Sequence, residues 1–239
     1  MLLALTSILS LGIPGPAFTA GASQPPTDEF TATYELRHNT GLIARMERSL
    51  RLGADGIWIY ESRSSPAGLL GLVRRDRITE RSRWHPVDGH PQPLHYEYHH
   101  TGRGEERHVI LDFDWADNSV INELNGHAWR MTLPGPVQDK LLYQYTLTRD
   151  LQNGVEELRY EVADGGGLKV YHFERSGTET LHTRLGSLET VKLRRIDTGD
   201  RTTIWCAPAL DYMPVRVEQH RDRRVLTLTI SELQRKKER

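Results

Sequence analysis

Met213-Pro214-Val215-Arg216-Val217-Glu218 and, a few residues on, Leu226-Thr227-Leu228-Thr229-Ile230 alternate apolar and polar side chains with a period of two. Successive side chains of a strand point to opposite faces. The pattern therefore puts Met213, Val215, Val217, Leu226, Leu228 and Ile230 on a buried sheet face and leaves the residues between them wet. Outward from this stretch, similar segments follow one another at short spacing. Strands are predicted over 29–37, 42–52, 57–62, 73–84, 94–101, 107–113, 119–124 and 127–133, then over 158–163, 168–174, 179–185, 188–196, 201–205, 215–219 and 225–233. Asp55-Gly56, Asn125-Gly126 and Asn153-Gly154 mark tight turns, because these residues tolerate positive φ. Gly165-Gly166-Gly167 joins two strands and precedes no helix, so it reads as a hairpin turn and not as a phosphate cradle.

One interior stretch has a helical period. Over 137–152, Leu141, Leu142, Tyr145 and Leu151 approximate one apolar face, with Pro134 and Pro136 before it and Asn153-Gly154 after it. The expected fold is mainly β: a single curved antiparallel sheet, a half-barrel or open barrel, with one helix packed in or over it. A chain of 239 residues with 37% apolar and 26% charged content can bury such a core as one domain, placed over 29–233. Lysine plus arginine (31) nearly balances aspartate plus glutamate (32), so no net field gathers phosphates, and nucleic acid is not an expected partner.

Residues 1–22 carry no charged side chain, and Leu2, Leu3, Leu5, Ile8, Leu9, Leu11 and Ile13 form a short apolar run. With Ala20 and Ala22 as small residues before Ser23, the segment reads as a cleavable signal peptide, although it lacks the usual basic opening. The expected layout is a signal peptide at 1–22, a linker at 23–28, the domain, and a loose basic tail at 234–239. The expected location is the periplasm. No segment reaches the ~20 apolar residues of a spanning helix, and no cysteine follows the apolar run to carry a lipid anchor.

Cys206 is the only cysteine, which rules out an intramolecular disulfide, and its setting in Ile204-Trp205-Cys206-Ala207-Pro208 reads as the end of a buried strand. His95, Glu97 and His99 share one strand face opposite Tyr96 and Tyr98. The two histidines lie roughly 13 Å apart at ~3.3 Å per residue, too far for all three to hold one ion. Asp112 and Asp114 share a face opposite Phe113 and Trp115; they could serve glycoside hydrolysis only beside a second acidic group that the sequence does not offer. The arginines at 74, 75, 77, 81 and 83, interrupted by Asp76 and Glu80, read as a solvated edge. No nucleophile elbow, zinc helix or phosphate loop is present. No catalytic residue, metal or cofactor is expected.

The ordered pieces resemble the bacterial family called domain of unknown function 3108. They are Ile78-Thr79-Glu80-Arg81-Ser82 within 71–84, Pro93-Leu94-His95-Tyr96-Glu97-Tyr98, Leu111-Asp112-Phe113-Asp114-Trp115, Gln138-Asp139-Lys140-Leu141, Tyr171-His172-Phe173, Leu185-Gly186, Val191-Lys192-Leu193-Arg194-Arg195 and Trp205-Cys206-Ala207-Pro208 followed by Met213-Pro214-Val215-Arg216. The resemblance runs from about 30 to 233. It implies export from a Gram-negative bacterium, no assigned catalytic residues, and a fold like the half-barrels of lipoprotein carriers and lipocalins.

On that basis the leading expectation is a non-enzymatic envelope protein that binds or carries a lipid or another apolar ligand on its concave face. Tyr96, Tyr98, Leu141, Leu142, Tyr145, Val215 and Val217 are the expected lining. A structural or protein-interaction component of the envelope with a filled core is the alternative, and a cell-wall or glycan hydrolase is a third reading.

Overall fold

The computed structural model describes residues 28–39, 41–68, 76–102, 106–197, 201–221 and 224–237. The first half is a meander of β1 (Asp28–His38), β2 (Gly41–Leu52), β3 (Trp58–Pro66), β4 (Arg77–Val87), β5 (His90–Thr101), β6 (Arg107–Asp114), β7 (Ser119–Leu124) and β8 (His127–Thr132). A short β9 (Gln138–Asp139) and the helix α1 (Leu142–Gln152) follow. The second half is β10 (Leu158–Ala163), β11 (Leu168–Thr183), β12 (Gly186–Arg195), β13 (Arg201–Ala207), β14 (Met213–Arg221) and β15 (Arg224–Lys237), with a 3-10 turn at Pro208–Leu210.

All these strands form one 15-stranded sheet in the order β8-β7-β6-β5-β4-β3-β2-β1-β15-β14-β13-β12-β11-β10-β9. Each pairing is antiparallel except β9 with β10. The two meanders meet where β1 pairs with β15, so the ends of the described chain lie at the middle of the sheet and its central strands end up at the edges. The expected open, mainly β architecture with one helix is what forms.

The sheet is strongly rolled. Ten strand spacings separate β4 from β9, about 48 Å in a flat sheet. Yet the Ser82 hydroxyl of β4 donates to the Asp139 carboxylate of β9 at 2.5 Å, and the Gln138 amide donates to the Pro91 carbonyl of β5 at 2.8 Å. The far edge has therefore curled back onto the inner face of the first half. The helix fills the space between. Leu141, Leu142 and Tyr145 join Leu50, Trp58, Tyr60, Trp84, Tyr96 and Leu111 in one core, whereas Leu147 and Leu151 join Leu158, Tyr160, Phe173, Leu193 and Ile204 in another. A third core under β1, β13, β14 and β15 holds Tyr34, Trp205, Val215 and Ile230.

Several boundaries depart from expectation for identifiable reasons. The helix begins at Leu142 and not at 137, because Asp139 stays in the sheet and accepts the N–H groups of Leu141 (2.8 Å) and Leu142 (2.7 Å), acting as the cap. The strands expected over 168–174 and 179–185 are one strand, β11; a register shift between Arg175 and Thr178, with Gly177 at φ 119°, absorbs the irregularity as a bulge. The basic tail is not loose through Lys237. Gln234, Arg235 and Lys236 pair with Thr31, Phe30 and Glu29 of β1, the Arg235 guanidinium reaches Asp211, and the Lys236 ammonium lies 3.0 Å from the Glu29 carboxylate. Asp28, expected in the linker, already belongs to β1. The signal peptide expected at 1–22, the linker expected at 23–27 and the strand expected at 73–75 lie outside the described residues, and among the described residues no helix is long and apolar enough to cross a membrane.

Candidate ligand cavity

Rolling a sheet around a single helix leaves space that the helix does not fill. An open cavity of about 860 Å³ lies between α1 and the inner sheet face. Its walls differ in character because of the side-chain rows that the register sets up. Ile204, Val217 and Leu228 are mutual neighbours across β13, β14 and β15, giving an apolar floor, and Leu147 of α1 faces the same space. On the other side of the β1–β15 junction, Arg48, Ser62 and Glu80 are neighbours across β2, β3 and β4. Ser62 is small, which leaves room between the two charged side chains.

Arg48 is the unusual member. It occupies an inward position of β2, in phase with Leu50, and is only 7% exposed. Its guanidinium lies 5.4 Å from the Tyr34 ring centroid, and its Nε has no hydrogen-bond partner. Among the described residues it forms no ion pair within 4.0 Å. Burial opposes its charge, but the Tyr60 and Tyr34 hydroxyls and the Glu80 carboxylate nearby hold its pKa above the ordinary arginine value. The Glu80 carboxylate accepts a hydrogen bond from the Tyr96 hydroxyl at 2.9 Å. Across the space, Tyr143 of α1 stands edge-on to Tyr171 at 4.9 Å, and burial pushes its hydroxyl up to about 12 against the opposing pull of Arg195 and Arg48.

The remaining charges around the cavity are mutually paired. Lys169 lies 2.7 Å and Lys140 3.5 Å from Asp164, and Arg195 lies 2.6 Å from Asp197 while its guanidinium stacks 3.6 Å over Tyr171. Counting Arg48, Lys140, Lys169 and Arg195 against Glu80, Asp164 and Asp197, the lining carries one excess positive charge.

The residues expected to line a ligand site divide: Tyr96, Leu141, Leu142 and Tyr145 share the first core with Tyr98 packed against it, Val215 lies in the third, and Val217 lines the large cavity. Tyr96 and Tyr98 also border an adjoining pocket of about 470 Å³ beside the Gly165–Gly167 turn, which shares Lys140, Asp164 and Lys169 with the large cavity. Leu141 and Leu142 are fully packed in the first core, and Val215 is packed in the third. Tyr145 contacts Trp84 and Tyr60 at ring distances of 5.4 and 6.0 Å, and its other side borders a pocket of about 200 Å³. Arg48, Glu80, Tyr143 and Arg195 are not among the lining that the sequence predicts. The available signal was phase: Arg48 interrupts the inward apolar positions Met46 and Leu50, and Glu80 shares the inward face of β4 with Trp84.

The other polar constellations have local roles. His95 pairs with Asp112 at 2.6 Å, His108 with Glu97 at 2.9 Å and His99 with Glu106 at 2.7 Å, a cross-strand row on the outer face. Asp114 accepts the N–H groups of Ala116 and Asp117 and so caps its turn. Cys206 is fully buried in β13, and burial pushes its thiol up.

Comparison with known proteins agrees with this architecture. A beta-barrel-like protein of domain of unknown function DUF1849 from Brucella abortus has a similar fold, with a TM-score of 0.60 at 10% identity over 88% of this chain and 98% of that one. The Pseudomonas aeruginosa MucA/MucB complex aligns over 89% of this chain and 90% of that one at 10% identity, and MucB in complex with MucA(peri) over 89% and 94% at 12%. Their TM-scores are 0.18 and 0.16. No curated protein matches it. The model of the family described as Protein of unknown function (DUF3108) matches residues 29–224, and the chain belongs to that family.

Proposed function

We propose that the protein is a non-enzymatic binding or carrier module of the bacterial periplasm that holds a lipid or another largely apolar ligand between its rolled sheet and its helix. The observation that carries this reading is the cavity of about 860 Å³ floored by Ile204, Val217 and Leu228. That volume falls within the ~300–1,000 Å³ usual for small-molecule sites, and the apolar floor gives an apolar chain a surface to lie on, under a rim of charged side chains. The apolar run within 1–22, followed by Ala20 and Ala22, supports the export.

Native mass spectrometry of protein purified from the periplasm, with extraction of whatever co-purifies, tests both parts. A start at or near Ser23 and an extractable apolar adduct are the expected results. Protein that retains Met1 in the cytoplasm would overturn the location. Absence of any adduct, together with no binding of a fluorescent fatty acid by the delipidated protein, would leave an envelope component that acts through its surface.

A further inference from the structure

The carrier reading leaves unexplained why an arginine lies inside the rolled sheet. Removing a guanidinium from water costs several kcal/mol even after relaxation unless another charge or a full set of acceptors replaces the solvent. Arg48 has neither in full: the Tyr60 hydroxyl accepts from it but its Nε is unpartnered, and the Glu80 carboxylate, near enough to favour its charge, makes no ion pair with it within 4.0 Å and already accepts from Tyr96. The other cations around the cavity have carboxylate partners. Arg48 alone faces the cavity charged and without one, one strand across the β1–β15 junction from the apolar floor.

We propose that Arg48 is the anchor for an anionic oxygen headgroup, a carboxylate or phosphate, whose acyl chain lies along Ile204, Val217 and Leu228. This rests on the cavity being a binding site and adds the chemical class of its ligand: an amphipathic anion and not a neutral apolar molecule. A planar guanidinium suits such a group because it can donate two parallel hydrogen bonds to two oxygens. The Tyr143 hydroxyl, within the electrostatic reach of both Arg48 and Arg195, supplies a neutral donor on the helix side. Glu80 repels the anion in part, which favours a headgroup of single charge over one of double charge.

The test is titration of the delipidated full chain with oleate, with oleyl alcohol of the same chain, and with inorganic phosphate or acetate, each against the unaltered protein, Arg48→Met and Arg48→Lys. Oleate is expected to bind the unaltered protein at least tenfold tighter than oleyl alcohol. Arg48→Met should abolish that preference and Arg48→Lys should keep part of it. Equal binding of oleate and oleyl alcohol by the unaltered protein overturns the anion site while leaving the carrier reading intact, and this comparison needs no variant to fold. Binding of phosphate or acetate alone, lost in Arg48→Met, supports the anion site with a free oxyanion as its source and overturns the carrier reading. No binding of any of the four overturns both.

Discussion

At the scale of single residues, burial and not reactivity governs the polar groups of this protein. Asp139 shows this best. It is fully buried, caps α1 and accepts from Ser82, yet desolvation outweighs these three hydrogen bonds and raises its pKa from 3.8 to about 6. The folded protein thus binds this proton more tightly than the unfolded chain does. The resulting stabilisation is fully present below about pH 4 and is lost as pH rises through about 6. Asp139→Asn keeps the acceptor but removes the ionisation. Urea unfolding at pH 4 and pH 7 is expected to show the unaltered protein losing up to about 3 kcal/mol relative to the variant, at about 1.4 kcal/mol per pKa unit; parallel pH profiles would contradict it. Leu142 is a simpler case. Fully buried in the first core, it lines no void, so Leu142→Ala should cost about 2–5 kcal/mol in urea unfolding and leave fatty-acid probe affinity unchanged.

At the scale of elements, ends are decided by backbone hydrogen bonding. The helix stops because Gly154 adopts φ 72°, and the Val155 N–H then turns back to the Asp150 carbonyl at 2.9 Å. Nothing lies within 4 Å of where a Cβ on Gly154 would sit, so Gly154→Ala is expected to cost only the conformational penalty, about 1–2 kcal/mol in chemical unfolding, and Gly154→Asn less. Asn125-Gly126 reads correctly as a tight hairpin between β7 and β8, with φ of 49° and 86°. The last turn of chain is informative in another way. Residues 234–236 are polar and basic and resemble a solvated tail in isolation, but β1 offers them a complete ladder. A chain ending at Leu233 should show faster amide hydrogen exchange over Glu29–Thr31, measured by mass spectrometry; unchanged protection there would mean that this pairing adds no local stability.

At the scale of the whole molecule, the sheet rolls far enough for its β9 edge to press on β4 and β5, and the helix closes one side of the remaining space. The cavity is a product of this rolling, since its apolar floor and its Arg48 and Glu80 side come from opposite halves of the chain. Filling it should therefore separate function from stability. Val217 faces the cavity at partial exposure, so Val217→Trp is expected to occupy the void and reduce fatty-acid probe binding at least tenfold, while the urea midpoint changes little. A large loss of stability with unchanged probe binding would place the binding site elsewhere, for instance in the pocket beside Tyr98.

The amino-acid sequence by itself determined the strands, their inward faces, the tight turns, the single helix and the family. Each of these follows from a local period, a turn residue or a short ordered motif, and neighbours along the chain suffice to establish it. Only the tertiary structure decided that Asp139 belongs to a strand and caps the helix, that Leu142 packs while Val217 faces a void, and that Arg48 is buried without an ion pair within 4.0 Å among the described residues. These depend on how far the sheet rolls before β9 meets Ser82, a contact between residues 57 positions apart in the chain and ten strands apart in the sheet. Alternation can say that a side chain points inward; whether protein, solvent or ligand meets it there is decided by curvature accumulated over the whole sheet.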